Sequence, residues 1–493
     1  MISGAQLYDF VHCPHRVSMD EFGAPDKCDE TSPFVELLWE QGLVHEGSVA
    51  AGLKITANLK LIGAADRERE TLSAMARREP LIYGGRLTTD DLVGEPDLLE
   101  WTELGYVPGD IKSGSGFDGD ESDAKLKKHY AFQLAHYVAI LEQLGLGSPT
   151  RSPYILDREG KRVPYLLMDP QGIRNTETWW DSYQAALSAI RAILNQSITS
   201  TPALSAACKL CHWSSQCREV LVATDDLTLI AELGRTKRDA IRGVIPTIQA
   251  FAQCNPDSFV QKKKTVFPGI GPETLSKLQA RAQLLAVPGS AAYLREPVNL
   301  PINQKEVYFD IEADPMRDVV YLHGFIERQL GQAQTAIFIP YFADGNAAVH
   351  EEAAFQSAWN YLGDRIHDST IYYYSKYERT EYKKLAEKYP AVCSVDDVDA
   401  LFALPVMIDL YFDIVKKATE WPLYDQSIKT IAQYLKFEWR DTNPSGAASI
   451  EWYNRWIETG DPAIKKRILD YNEDDCLATG VVVDGIRALP VKA

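Results

Sequence analysis

The sequence predicts a multidomain α/β protein, and three observations carry that expectation. At 493 residues the chain is long enough for two to four domains of ordinary size. Strand and helix patterns alternate in residues 1–222 and again in residues 301–493, while residues 223–300 between them read as small and helical. Composition is ordinary for a soluble protein, with 45% hydrophobic and 24% charged residues, and no apolar run could span a bilayer. The N-terminus, MISGAQLYDFVHCPHR, lacks the apolar stretch of a secretory signal, so a cytoplasmic location without a membrane partner is expected. In that compartment clustered cysteines bind metal or do redox work more often than they form disulfides. The net charge of −18 argues against a surface coated for indiscriminate nucleic-acid binding, but leaves room for a local basic groove and for carboxylate-rich metal sites.

In the first region, an apolar helical pattern at 35–49 precedes strand patterns at 81–87, 92–101 and 106–114. A helical period follows from Ala124 to Leu144, with Leu126, Tyr130, Leu134, Val138 and Leu141 along one stripe. Two further strands, SPYILD and RVPYLLMD, lead to a helix at about 176–196. GEPDLLEW and GDIKSG place Asp97 on one strand and the Asp110-x-Lys112 pair on the next. Residues i and i+2 of a strand share a face, so Asp110 and Lys112 project together. Two carboxylates suit a divalent cation, and a neighbouring ammonium can position water and oppose phosphate charge, the combination that phosphodiester hydrolysis requires. A surface ion pair is the bland alternative for the tripeptide alone. The surroundings favour chemistry: His45 lies on an upstream helix, and Gln133 and Tyr137 stand one turn apart on a downstream one.

This ordered set resembles the RecB-type branch of the PD-(D/E)xK nucleases, which have a restriction-endonuclease-like fold. The resemblance implies that His45, Asp97 and Asp110 are metal ligands, that Lys112 is the catalytic lysine, and that Gln133 and Tyr137 orient the site or its DNA. CKLCHWSSQC supplies three thiols, Cys208, Cys211 and Cys217, and a tetrahedral centre needs a fourth ligand. Cys28 is conceivable, and Cys13 is preferred because RecB-type iron-sulfur nucleases, CRISPR adaptation nucleases among them, place one cysteine before the nuclease core and three after it. The implied group is a [4Fe-4S] cluster clamping the two ends of the domain, with zinc in the same thiolates as the alternative. Cys254, Cys393 and Cys476 have no such spacing and read as small apolar residues.

The middle region contains FPGIGPETLSKL, which has the form of a helix-hairpin-helix, and a looser version, AELGRTKRDAI. Backbone N–H groups at such a turn can hold a DNA phosphate, which marks Gly269 and Gly271, with Lys263 in the preceding KKK, as DNA-binding candidates. Plain helix packing is the alternative.

The last region opens with three strand patterns, VYFDIEAD, VVYLHGFIE and AIFIPYF. Asp310 and Glu312 would share one face of the first, and two acids in an apolar strand are costly unless a cation offsets them. Tyr471 and Asp475 are helical neighbours in YNEDDCLAT. This pairing resembles the tyrosine subclass of the DEDD 3'-to-5' exonucleases, with an RNase H-like fold. It implies that Asp310, Glu312 and Asp475 hold two Mg2+ or Mn2+ ions and that Tyr471 orients the nucleophilic water. Where that pattern has a middle Asp, this chain has Glu378, with Asp409 as a fallback. The whole arrangement is similar to a family of RecB-like nucleases, some of which carry a helicase domain. The expectation is therefore a metal-dependent DNA nuclease, an exonuclease acting in repair, recombination or defence on single strands or duplex ends. RNA is a further substrate class, and a separate helicase a further partner. A nucleic-acid-binding scaffold or helicase partner with a weakened RNase H-like site is the alternative.

Overall fold

The computed structural model describes residues 1–118, 125–172, 175–442 and 444–492. Contacts divide the chain into two units, Met1–Val220 and Leu221–Ala493. Among the described residues no helix is long and apolar enough to cross a membrane.

The first unit is built on a six-stranded sheet in the order Arg162–Pro164, Tyr154–Leu156, Gly105–Ile111, Leu98–Thr102, Leu81–Tyr83, Ala57–Asn58. The pattern at 92–101 predicts one strand, and the structure breaks it into Leu92–Gly94 and Leu98–Thr102 around Glu95-Pro96-Asp97. Proline cannot donate to a ladder, so the interruption falls where the sequence has no N–H to give. Leu98 pairs with Gly109 in antiparallel register, which places Asp97 across from Asp110. The central helix runs Lys128–Gln143; Leu126 belongs instead to a short strand paired with Phe117, and Ala124 lies outside the described residues. From Ala131 to Leu141 every residue of this helix is buried except Gln133, so the single expected stripe is a fully enclosed helix with one opening. The helix Trp179–Leu194 begins at a capping box formed by Thr178 and Asp181.

The two ends of this unit are stitched together. Asp20, on the helix Pro14–Phe22, accepts hydrogen bonds from Trp213 Nε1 at 2.6 Å and His212 Nε2 at 2.7 Å. Asp29 N–H donates to the His212 carbonyl at 2.7 Å, and Ser215 N–H donates to the Asp29 carboxylate at 2.9 Å.

The second unit carries a five-stranded sheet ordered Ile337–Phe342, Val319–Gln329, Lys305–Asp314, Ser369–Tyr373, Met407–Asp409. The first three strands are antiparallel and the last two run parallel to the central one. Alternation along the central strand partitions the core. Val307, Phe309 and Ile311 join a cluster with Phe355 and Tyr382, whereas Tyr308 packs with Cys476, Val482 and Val483 of the 27-residue helix Pro462–Ala488. Asp310 and Glu312 share the parity of Tyr308 and so lie on the side of that helix. Asp310 pairs with Gly324, where an added Cβ would stand 1.6 Å from Asn472 Oδ1; glycine lets the helix settle directly on the sheet. A register shift follows immediately after Glu312, the kind of irregularity that re-aims side chains.

The helical stretch before residue 300 lies within this second unit. FPGIGPETL is preceded by a 3₁₀ turn, Pro256–Phe259, and a small β-hairpin, Val260–Gln261 with Lys264–Thr265. No helix leads directly into the glycine turn, as the helix-hairpin-helix expectation would require. Gly269 has φ +73°, a left-handed conformation suited to glycine, and Gly271 caps the helix Pro272–Ala286. Arg281 of that helix ion-pairs with Glu420 at 2.8 Å and with Glu232 at 2.8 Å, Arg281 being 2% and Glu420 0% exposed. Arg295 adds a second cation 3.4 Å from Glu420.

Candidate functional site

In the first unit the sheet register brings two acids and an ammonium together. Ile111 N–H donates to Asp97 Oδ2 at 2.9 Å, and Asp97 N–H donates to Asp110 Oδ1 at 3.3 Å. Lys112 Nζ lies 2.9 Å from Asp110 Oδ2 and donates to Gln133 Oε1 at 2.9 Å; Gln133 Nε2 in turn donates to Tyr137 Oη at 3.0 Å. The one opening in the buried helix is thus where Gln133 fixes the lysine. Burial, and then the charge of Asp110, push the Asp97 carboxyl up to about 7. Burial works against a charged Lys112, but Asp110 and Asp97 outweigh it and hold the ammonium above its ordinary value. Lys60 bridges Glu46 and Asp97, and Tyr83 Oη donates to Glu46 at 2.9 Å. His45 precedes Glu46 on the helix Pro33–Ala51, and its Nε2 is buried without a hydrogen-bond partner. Among the described residues the donor atoms of His45, Asp97 and Asp110 do not gather within 4.8 Å of one another, so the structure brings the two acids and Lys112 together without His45.

In the second unit, one oxygen from each of Asp310, Glu312 and Asp475 lies within 4.8 Å of the others. Burial first, then Asp475, pushes the Glu312 carboxyl up to about 8. Burial and the charges of Asp475, Glu312 and Glu378 raise Asp310 well above the carboxylate range, and burial raises Asp475. Neighbours orient the acids: Asn472 Nδ2 donates to Asp310 at 2.8 Å, and Trp439 Nε1 to Asp475 at 2.6 Å. Lys429 Nζ donates to Tyr471 Oη at 2.7 Å and to the Pro444 carbonyl at 2.8 Å, and sits 4.6 Å from the Tyr471 ring centre. Burial drives the Tyr471 phenol well above its ordinary value, so it stays protonated. Glu378, 2% exposed at the start of the helix Tyr377–Lys388, has a buried Oε2 with no hydrogen-bond partner and is close enough to raise Asp310. Asp409 is committed elsewhere, its Oδ1 accepting from the backbone N–H of Phe412 at 2.9 Å and Ser375 at 3.2 Å. Three crowded acids, with the buried Glu378 nearby, fit divalent cations, whose charge would offset the mutual repulsion that Lys429 only partly relieves.

Residues 12–218 match the family model of the PD-(D/E)XK nuclease superfamily, and residues 307–486 match that of the RNase_H superfamily. The chain carries a domain of each nuclease superfamily. No curated protein matches the chain. Nuclease domains of these kinds act on nucleic acid with divalent metals such as Mg2+ or Mn2+.

The PD-(D/E)XK domain begins near Cys13, the residue between the helices Gly4–His12 and Pro14–Phe22, and ends near the other three cysteines. Cys208 lies in a 3₁₀ turn, Cys211 ends it, and Cys217 is on the helix Ser214–Ala223. Burial raises the Cys211 thiol, and Cys13 and Cys208 are near enough to add to that rise. The stitching through Asp20 and Asp29 draws Cys28 toward the same end. Cys393 and Cys476 are buried, and Cys254 is half-buried. Gly269, Gly271 and Lys263 are exposed, and a Cβ at either glycine would meet nothing within 4 Å.

Sequence reasoning did not single out Glu46, Lys60, Lys429, Trp439 or Asn472. Asn472 follows Tyr471 directly in YNEDD, and helical proximity to Asp475 could have drawn it out, whereas Trp439 meets Asp475 only through packing. Lys60 and Lys429 stand in unremarkable contexts, NLKLI and SIKTI, and only tertiary contact reveals them.

Proposed function

We propose that the protein is a metal-dependent DNA nuclease, an exonuclease with two active sites, working in DNA repair, recombination or defence. The observation that carries this reading is the cluster of Asp310, Glu312 and Asp475, the last two buried and the first half-buried, beside the Lys429–Tyr471 pair. Divalent ions bound there would supply Lewis acidity and a water of lowered pKa. Asp310, Glu312 and Asp475 would hold them, with Glu378 as the fourth acid. The Tyr471 hydroxyl, held between the Lys429 ammonium and the Asp475 carboxylate, would orient the attacking water.

In the PD-(D/E)XK domain, His45, Asp97 and Asp110 are proposed as ligands. Lys112, restrained by Gln133 and Tyr137, would place positive charge where the phosphate becomes more negative. Cys13, Cys208, Cys211 and Cys217 are proposed to hold a [4Fe-4S] cluster that locks the domain ends. The hairpin before residue 272, through Gly269, Gly271 and Lys263, would contact the DNA backbone, and a separate helicase would feed strands to the enzyme. RNA is a second substrate class under the same backbone-directed chemistry.

The test is digestion of end-labelled single- and double-stranded DNA and RNA with Mg2+ or Mn2+, comparing wild type with Lys112→Ala and Asp310→Ala. Both variants should lose part of the cleavage, with different product patterns. Loss confined to Lys112→Ala would leave the RNase H domain as a binding module. No cleavage by metal-replete wild type under any condition would overturn the reading in favour of a scaffold.

A further inference from the structure

Four aromatic rings gather where the helices Gly4–His12 and Lys128–Gln143 meet, beside Lys112. Tyr8 and His12 ring centres are 4.7 Å apart, and His129 lies 4.8 Å from each of them. Tyr130 continues the series, 4.4 Å from His129. Deeper along the same helices the seam is ordinary apolar packing, with Leu7 and Leu134 fully buried. At this end it opens: Tyr8 is 37% exposed, His12 is exposed, and His129 and Tyr130 are half-buried. The series leads straight to the catalytic candidate, because Lys112 Nζ lies 5.4 Å and Lys127 Nζ 5.5 Å from the Tyr130 ring centre. Gly114, just beyond Lys112, keeps the approach clear; a Cβ there would stand 3.3 Å from Tyr130 Oη and 3.7 Å from Lys127 Nζ.

We propose that Tyr8, His12, His129 and Tyr130 form a stacking platform for unpaired nucleobases, guiding a single strand into the PD-(D/E)XK site. The proposal rests on the nuclease reading of that domain and names its substrate form. Ring faces bind bases of any sequence, and the neighbouring ammonium groups suit the phosphates between them. Burial holds the His129 imidazole down to about 3, so that ring is neutral and offers a π-face rather than a phosphate contact. Asp9, next to Tyr8 on the same helix, is paired with Arg16 at 3.2 Å and does not repel the strand unopposed. A paired base keeps its faces inside the duplex, so the platform selects frayed ends, flaps and single strands.

The test uses oligo(dT) carrying 5-iodouracil, photocrosslinked to the full-length protein in Ca2+ and mapped by peptide mass spectrometry, together with fluorescence anisotropy of the same strand. Crosslinks are expected at Tyr8, His12, His129 or Tyr130. The double variant Tyr8→Ala, His12→Ala should bind oligo(dT) about 10- to 100-fold more weakly, with the salt dependence unchanged because no phosphate contact is removed. Tyr8→Phe with His12→Phe should restore it, which a general folding defect would not. Blunt duplex should bind wild type and the alanine pair alike. Crosslinks confined to other residues, or an alanine pair that binds oligo(dT) as wild type does while wild type still cleaves, would overturn the platform alone. A wild type that neither binds nor cleaves any nucleic acid would overturn the nuclease reading and the platform with it.

Discussion

Replacing Glu312 by glutamine should make the metal-free protein more stable, and the gain should grow with pH. Glu312 is 5% exposed and crowded by Asp475, and its carboxyl is raised from 4.5 to about 8. An acid raised on folding is a liability above its unfolded value. The unfolded chain releases the proton from 4.5 upward while the folded one retains it until about 8, so the penalty grows between those values and then levels off. For this group alone the penalty is about 1 kcal/mol at about pH 5.5 and about 5 kcal/mol at about pH 8.5. Urea unfolding in EDTA, followed by tryptophan fluorescence at both pH values, should therefore show a Glu312→Gln advantage that widens by about 3–4 kcal/mol from the lower to the higher. Saturating Mn2+ should erase or reverse the advantage, because the ion stabilises only the wild-type carboxylate cluster. An advantage that does not change with pH, or a variant weaker than wild type at about pH 8.5 in EDTA, would refute the idea that mutual repulsion of these acids is the reason for a cation site.

Gly324→Ala should cost about 1–3 kcal/mol of stability and most of the RNase H domain's cleavage, since the added Cβ displaces Asn472 from Asp310. Thermal unfolding and product analysis in the Lys112→Ala background would measure both. Lys429→Met should slow the same cleavage by about 100-fold with little change in KM, because it removes one of the groups that hold the Tyr471 hydroxyl without removing a metal ligand. Asp20→Ala should leave the buried Trp213 indole N–H unpaired, cost about 1–3 kcal/mol, and lower iron content and visible absorbance on purification without oxygen. Cys211→Ala should abolish that absorbance, whereas a colourless, zinc-loaded wild type would replace iron by zinc in the same clasp.

The meeting of Asp310, Glu312 and Asp475 is legible because its signal is local. Asp310 and Glu312 are two apart on a strand, Tyr471 and Asp475 four apart on a helix, and each periodicity fixes a shared face. Asp97 and Asp110 were legible for a related reason, being close in sequence and joined by one tight turn between adjacent strands. Lys60 and Lys429 were not, since each reaches its acid or phenol only through packing between elements far apart in the chain. The pattern at 92–101 reads as one strand because the apolar pairs Leu92-Val93 and Leu98-Leu99 flank a short polar gap, whereas the ladder breaks at Glu95-Pro96-Asp97. The start of the central helix was drawn too early for the complementary reason: Leu126 fits the helical stripe, but its backbone is taken by Phe117.

The ion pairs of Glu420 decide where this protein can be divided. Both of its guanidinium partners, Arg281 and Arg295, come from the stretch before residue 300, although Glu420 itself belongs to the RNase H half. A fragment starting at residue 301 would carry a fully enclosed carboxylate with neither counter-ion, a loss of about 3–5 kcal/mol in a domain whose whole margin is about 5–15 kcal/mol. It would also forfeit the edge strand Tyr293–Leu294, which pairs with Thr419–Glu420. The helical stretch therefore travels with the C-terminal half as its built-in counter-charge and has no independent life as a linker.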